Sequence, residues 1–142
     1  DHFATHNVRQ LYQPPFAEFV ILNFQILSGS DAFANLVQWF ALFLCIIGTS
    51  MIAKELGASR KIQLATGIFV ATTPMPILQA TSAKNDLVLA FFLVAATYHL
   101  LRLIKRNSYQ NICFFSIAIG LSILTKGTGY LFAAPLLIWF SV

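Results

Sequence analysis

Apolar runs separated by short polar connections dominate the sequence. Five of these runs are long enough, or nearly long enough, to cross a bilayer core, which takes roughly 20 residues of helix. The predicted membrane segments are 32–53, 62–80, 86–104, 112–125 and 130–142, with the last one truncated where the sequence stops. The pattern therefore predicts an all-α fold, a polytopic transmembrane helix bundle of about five spans.

A sixth apolar stretch, FAEFVILNFQIL, follows Pro14 and Pro15 and carries Glu18. It is shorter than a span, which favours an interfacial helix near residues 15–28, and prolines are well tolerated in a first helical turn. In this arrangement residues 1–31 form a non-cytoplasmic loop, residues 32–142 form the membrane helices, and Glu18 turns to water. The alternative, in which residues 16–28 span the membrane, changes only the side of the N-terminal tail.

Composition supports the membrane assignment. The chain is 58% hydrophobic and only 10% charged, with a mean hydropathy of +0.74, which lies outside the range of soluble proteins. It opens on Asp1 without a methionine and stops within an apolar run, so we expect an internal piece of a longer protein. The net charge of +4 comes from short loops and indicates orientation in the membrane, not nucleic-acid binding.

Basic residues fix the expected orientation. Six of the nine fall in two connections, and these mark the cytoplasmic side: Lys54, Arg60 and Lys61 in one, Arg102, Lys105 and Arg106 in the other. The opposite face then receives the N-terminal segment, the turn from Lys84 to Asp86, and the turn that holds Lys126.

Asp86 has two interpretations. It opens an apolar helix, where Asn85 or Asp86 could serve only as a cap that satisfies free backbone amides. A carboxylate at the mouth of a membrane bundle could instead bind a divalent metal or orient a sugar, and Lys84 lies two residues before it.

Lys126 likewise has a structural and a functional interpretation. A lysine at a helix end can extend its ammonium into the headgroup region while a neighbouring glycine closes the turn. Lys126 and Lys84 nevertheless share the face where positive charge is least expected, and two lysines on one rim could bind a phosphate.

Two further features concern the surroundings of such a site. Pro74 and Pro76 interrupt the second predicted span near its outer end, which kinks or unwinds it, and irregular backbone at that depth must be covered by protein or line a wet cavity. His2, His6 and His99 do not have metal-ligand spacing, so zinc is not expected.

The stretches YQPPFAEFVIL, GSDAFANLVQWF through ATYHLL, and GLSILTKGTGYLF together resemble the membrane module of the GT-C glycosyltransferases. The similarity runs from about Tyr12 to Tyr130, and the branch includes the protein O-mannosyltransferases and the bacterial aminoarabinose transferases of lipid A. Its most specific parts are the Pro-Pro pair, the basic turn after a long span, the aspartate that opens a later span, and the Thr-Lys-Gly that ends another.

The resemblance implies sugar transfer from a polyprenyl-phosphate donor to a lipid, glycan or protein acceptor, on the non-cytoplasmic face of a membrane that we expect to be a bacterial inner membrane. Asp86 matches the second acidic residue of such enzymes, and Lys126 matches their Thr-Lys-Gly lysine. The first acidic residue is expected upstream of Asp1. Gln13 stands where the aminoarabinose branch has a lysine before Pro-Pro, a departure that weakens the case for a direct phosphate contact at this position and for that substrate.

The chemistry of such a transfer assigns roles to the candidates. A carboxylate, here Asp86, would orient or deprotonate the acceptor, and cations would stabilise the departing phosphate. The phosphate-side candidates are Lys84, Lys126, Arg9 and, by position, Gln13. The alternatives are a lipid or solute transporter, whose site is usually nearer the middle of the membrane, and a non-catalytic scaffold.

Overall fold

The structure is a computed structural model that describes residues 14–82 and 84–141. Within these residues there are helices and connecting turns but no strand, which confirms the predicted all-α bundle. The described residues form seven α-helices: α1 (Phe16–Ser28), α2 (Leu36–Glu55), α3 (Arg60–Thr72), α4 (Pro74–Ala80), α5 (Asp86–Lys105), α6 (Tyr109–Thr125) and α7 (Gly129–Ser141). A short 3-10 turn, Asp31–Phe33, joins α1 to α2.

Local chemistry explains several helix boundaries. α1 begins after Pro15 and ends at Gly29, whose φ of 66° is the left-handed conformation that glycine adopts without a steric penalty. The second predicted span is divided at Thr73, which has extended backbone, and Pro74 starts α4 at its first helical position. The proline-rich stretch therefore yields two helices where the apolar run alone predicts one.

The long helices α2 and α5 run side by side in the same direction. Near their beginnings, the side-chain amide of Asn35 donates to the carbonyl oxygen of Thr81 at 3.3 Å, and Thr81 lies shortly before α5. At their ends, Lys105 is ion-paired with Glu55. The bundle thus has two ends, called here the Asp86 end, where α5 begins, and the Lys105 end, where it finishes.

α5 is the central helix of the bundle, because it contributes to both apolar clusters of the core. One cluster joins it to α1, α2 and α4 through Ala17, Ala41, Leu42, Ala80, Leu87 and Val88. The other joins it to α6 and α7 through Ala96, Leu100, Phe115, Ala118, Ile119 and Ala133.

The outer surface of the bundle is apolar. Large side chains such as Phe43, Phe69 and Leu131 are exposed, and α2 and α5 are each apolar and long enough to cross a membrane. A surface of this kind is compatible with lipid and not with water, so the chain is an integral membrane protein.

Candidate functional site

Polar groups from three parts of the chain converge at the Asp86 end. They are Glu18 on α1, Asn85 and Asp86 at the start of α5, and Thr125 and Lys126 at the end of α6. Forty to 67 residues separate the partners along the sequence. The bundle, and not local sequence, therefore brings them together.

The centre of the cluster is an ion pair between Lys126 and Asp86, in which the ammonium group donates to Oδ1 of the carboxylate. Each side chain is largely covered, with exposed fractions of 27% for Lys126 and 30% for Asp86. Asp86 is also the first residue of α5, where the positive end of the helix dipole favours a negative charge. The carboxylate is thus stabilised from two directions.

Asn85 ties the ion pair to α1. Its side-chain amide donates to Oε1 of Glu18 at 2.8 Å and to the carbonyl oxygen of Thr125 at 3.4 Å. Asn85 precedes α5 but makes no side-chain capping bond, so the capping role considered for it from the sequence is not the one it has here. Its amide instead joins three helices beside the carboxylate of Asp86.

Glu18 is the clearest difference from the sequence-based expectation. The residue is exposed overall, but one carboxylate oxygen accepts the hydrogen bond from Asn85, so it does not simply turn to water. The sequence did show a charged residue in the middle of an apolar stretch, which indicates a need for a polar partner. It did not identify that partner, because Asn85 is 67 residues away.

The turn that carries Lys126 depends on a close approach of backbone. The amide of Gly129 donates to the carbonyl oxygen of Lys126 at 2.8 Å, and this closes the turn between α6 and α7. A Cβ atom at Gly129 would lie 2.5 Å from the carbonyl oxygen of Ser122, a distance that real structures do not accommodate. Glycine at this position therefore permits the close backbone packing of the turn that carries Lys126.

A cavity of about 500 Å³ opens beside the ion pair. Its polar lining residues are Gln79, Asp86, Lys126 and Thr128, and its apolar lining residues are Leu89, Ala90, Leu93 and Phe132. Leu89, Ala90 and Leu93 follow Asp86 by three, four and seven residues, so they lie on the same face of α5, and the wall extends about 10 Å from the carboxylate at 1.5 Å per residue. The cavity thus has a charged mouth and an apolar wall.

The structure does not bring the other candidate residues into this cluster or does not describe them. Lys84 is exposed and does not belong to the described lining of this cavity. Arg9 and Gln13 lie outside the described residues. Over residues 14–82 and 84–141, no group of three or more histidine, cysteine or acidic side chains is placed to hold a metal ion.

Comparison with known protein families identifies the class. One family model matches residues 12–142, which is nearly the whole chain. The chain is therefore a membrane glycosyltransferase of the GT-C type, as its resemblance to that class predicted. It belongs to the dolichyl-phosphate-mannose-protein mannosyltransferase family. Comparisons with curated proteins and with solved structures gave no significant match.

Proposed function

We propose that this chain takes part in transferring a sugar from a polyprenyl-phosphate donor to an acceptor on the non-cytoplasmic face of the membrane. The family description names dolichyl-phosphate mannose, which is a donor of this chemical kind. The observation that carries the proposal is the cavity at the Asp86 end, because its lining combines the two properties that such a donor has.

A polyprenyl-phosphate sugar has a charged, hydroxyl-rich head on a long hydrocarbon chain. The mouth of the cavity offers a carboxylate and an ammonium group, together with the amide of Gln79 and the hydroxyl of Thr128. Leu89, Leu93 and Phe132 offer an apolar surface below it. A wholly polar substrate would leave that surface in contact with water, so the lining favours a lipid-linked donor.

Lys126 suits the phosphate side of the reaction. A lysine ammonium has three N–H donors, and the described contact with Asp86 uses one of them. Lys126 can therefore hold Asp86 and still donate to a phosphate oxygen, where it stabilises the negative charge that grows as the donor bond breaks. Lys84, Arg9 and Gln13 are further candidates for contacts with the phosphate.

Asp86 suits the acceptor side. In the proposed step the acceptor oxygen or nitrogen forms a bond to the anomeric carbon, and the bond from that carbon to the phosphate oxygen breaks. The electron pair of the broken bond leaves on the polyprenyl phosphate, and the acceptor proton passes to a carboxylate. Asp86 is our candidate for that carboxylate, since it lines the cavity and contacts the ammonium group of Lys126.

The distribution of basic residues supports the side of the membrane. The Lys54–Lys61 and Arg102–Arg106 connections meet at the Lys105 end, where Glu55 contacts Lys105. Positive charge marks the cytoplasmic ends of membrane helices, so the Asp86 end would face away from the cytoplasm. Cysteines substituted at Lys84 and Arg60 test this, because an impermeant thiol reagent on intact cells should label only position 84.

The substitution Asp86→Asn tests the reaction. Asparagine keeps the size of the side chain but removes the charge, and we expect transfer from a polyprenyl-phosphate donor to fall about a hundredfold or more at equal protein level. Asp31→Asn is the matched control at the same end, because Asp31 only accepts a hydrogen bond from Gln25 at 2.7 Å, and it should change the rate by no more than about twofold.

Two outcomes would overturn the proposal. Wild-type turnover in Asp86→Asn would limit Asp86 to a structural role. Movement of the donor lipid across vesicles without any sugar transfer would place the protein among transporters.

A further inference from the structure

A second polar pocket lies at the Lys105 end, at the opposite end of α2 and α5 from the site described above. Its volume is about 310 Å³, and its lining residues are Glu55, Arg102, Lys105 and Arg106. Glu55 is the last residue of α2, and the other three lie on the last turn of α5 or directly after it. The ends of two long apolar helices therefore form its walls.

The charges in this pocket do not balance. Lys105 donates to the carboxylate of Glu55 at 3.2 Å and also to its backbone carbonyl oxygen, so these two residues neutralise each other. Within the described part of the chain, neither Arg102 nor Arg106 is ion-paired. Three cations and one carboxylate leave a net charge of +2, and the negative ends of two helix dipoles offset only about half a charge each.

The side chain of Arg102 is held in a defined orientation by Tyr98. Its guanidinium carbon lies 5.7 Å from the centroid of the Tyr98 ring, and Nη1 donates to the Tyr98 hydroxyl oxygen at 3.3 Å. A guanidinium group has five N–H donors in a planar fork that matches two oxygens of one phosphate. The contact with Tyr98 leaves most of these donors free for a ligand.

The surroundings of the pocket indicate where its ligand comes from. Leu56 directly follows α2 and is 70% exposed, and Ile104 on α5 is 59% exposed. Apolar side chains that are exposed beside unpaired arginines form a surface that contacts both acyl chains and a charged headgroup. A small water-soluble phosphate would use only the arginines.

We propose that this pocket binds the phosphate of an anionic membrane lipid, with Arg102 and Arg106 as its ligands. The lipid would be seated where the basic ends of α2 and α5 meet the headgroup layer. It is separate from the donor of the transfer reaction, because the two pockets lie at opposite ends of α5.

The test uses the intact protein in nanodiscs of phosphatidylcholine with increasing phosphatidylglycerol, and counts bound phosphatidylglycerol by native mass spectrometry. Arg102→Gln and Arg106→Gln should each weaken binding about fivefold, the scale of one cation at an anionic surface. Arg60→Gln is the matched control, because it removes one exposed cation from the same end of the bundle without altering the pocket lining, and it should change binding by less than about twofold.

Each outcome decides the proposal. Equal losses in all three variants would show that lipid responds to total charge and not to this pocket, and unchanged binding in Arg106→Gln would also overturn it. Arg106 is exposed and its side chain makes no described contact within the core, so a folding defect is not expected to obscure that result. Competition by millimolar inorganic phosphate would assign the pocket to a soluble phosphoryl ligand instead of a lipid.

Discussion

Among residues 14–82 and 84–141, each end of the bundle carries one ion pair between a lysine and a carboxylate, and the two pairs differ in their surroundings. Lys126 and Asp86 are both largely covered, and Asn85 links the same corner to Glu18 and to the end of α6. At the other end 53% of the Lys105 side chain but only 22% of the Glu55 side chain is exposed, and two further arginines line the pocket.

The difference shows that the setting of an ion pair decides what it can do. At the Asp86 end Lys126 faces Asp86 in a partly covered corner, where charges interact more strongly than in water. At the Lys105 end the pair is wetter and its contribution to stability is small, but the unbalanced cations around it attract anions. Under the two proposals above, the first setting serves chemistry on a bound substrate and the second serves anchoring to a lipid.

The two lysines give the largest expected contrast. Lys126→Met should lower sugar transfer at limiting donor by about tenfold to a hundredfold, the scale of one hydrogen bond to a charged group, while methionine keeps most of the apolar stem. Lys105→Met should alter transfer by less than about threefold, because its pair is exposed. Equal losses in the two variants would mean that both pairs are structural.

Removing Lys126 also leaves Asp86 without its partner, so lost activity must be separated from lost stability. The double variant Asp86→Asn/Lys126→Met removes both charges. It should recover the melting temperature of the wild type more closely than Lys126→Met does, while remaining inactive in transfer.

Substitution of Gly129 tests the position of Lys126 without changing the lysine itself, and Gly127 provides the control. Gly129→Ala should destabilise the protein by about 1–3 kcal/mol and lower transfer, because the new Cβ would meet the backbone of Ser122. Gly127→Ala is the control in the same turn, since nothing lies within 4 Å of a Cβ there. A stable, active Gly129→Ala protein would show that the turn need not hold Lys126 in place.

The sequence predicted which helices the fold contains better than it predicted which helices pack against each other. Long apolar runs predicted the helical bundle, and Pro74 predicted the interruption at Thr73. Polarity along one segment says little about which other segment it packs against. The sequence therefore did not predict that α5 would lie at the centre of the bundle, between two apolar clusters.

The same limit applies to the candidate site. Asp86 and Lys126 were both selected from the sequence, but as residues on one face, and their contact depends on how α5 and α6 are rotated about their axes. Lys84 was selected for its position next to Asp86, yet it is exposed. Glu18 and Asn85 each had an ordinary local explanation, and only the packing of α1 against the bundle makes them partners.

Glu18 provides a smaller test, directed at the network around the covered pair. Glu18→Ala removes the shorter hydrogen bond of the Asn85 amide, which then has only the 3.4 Å contact to the carbonyl oxygen of Thr125. Because Asn85 is only 9% exposed, the change should lower the free energy of unfolding by about 1 kcal/mol. Hydrogen exchange should rise in α1, whereas Glu18→Gln should restore protection because its amide oxygen can still accept. Asn23→Ala is the control on α1, since Asn23 bonds only to Phe19 within the helix. Unchanged exchange in Glu18→Ala would remove Glu18 from the network.

The smallest effect on stability is expected at the exposed pair, with Glu55→Gln. Because the Lys105 side chain of this pair is exposed to solvent, we expect less than about 1 kcal/mol of destabilisation, decreasing further as salt is added. The same change removes the charge that neutralises Lys105 and raises the net charge of the pocket from +2 to +3, since one carboxylate is lost from its lining. Binding of phosphatidylglycerol should therefore increase about fivefold, the scale of one additional effective cation.

Asp86→Asn is the control for this binding, because it removes one negative charge at the opposite end and should leave phosphatidylglycerol binding unchanged. Weaker lipid binding in Glu55→Gln would mean that Glu55 organises the pocket instead of limiting its charge, and the contrast between a balanced end and a positively charged end would no longer hold.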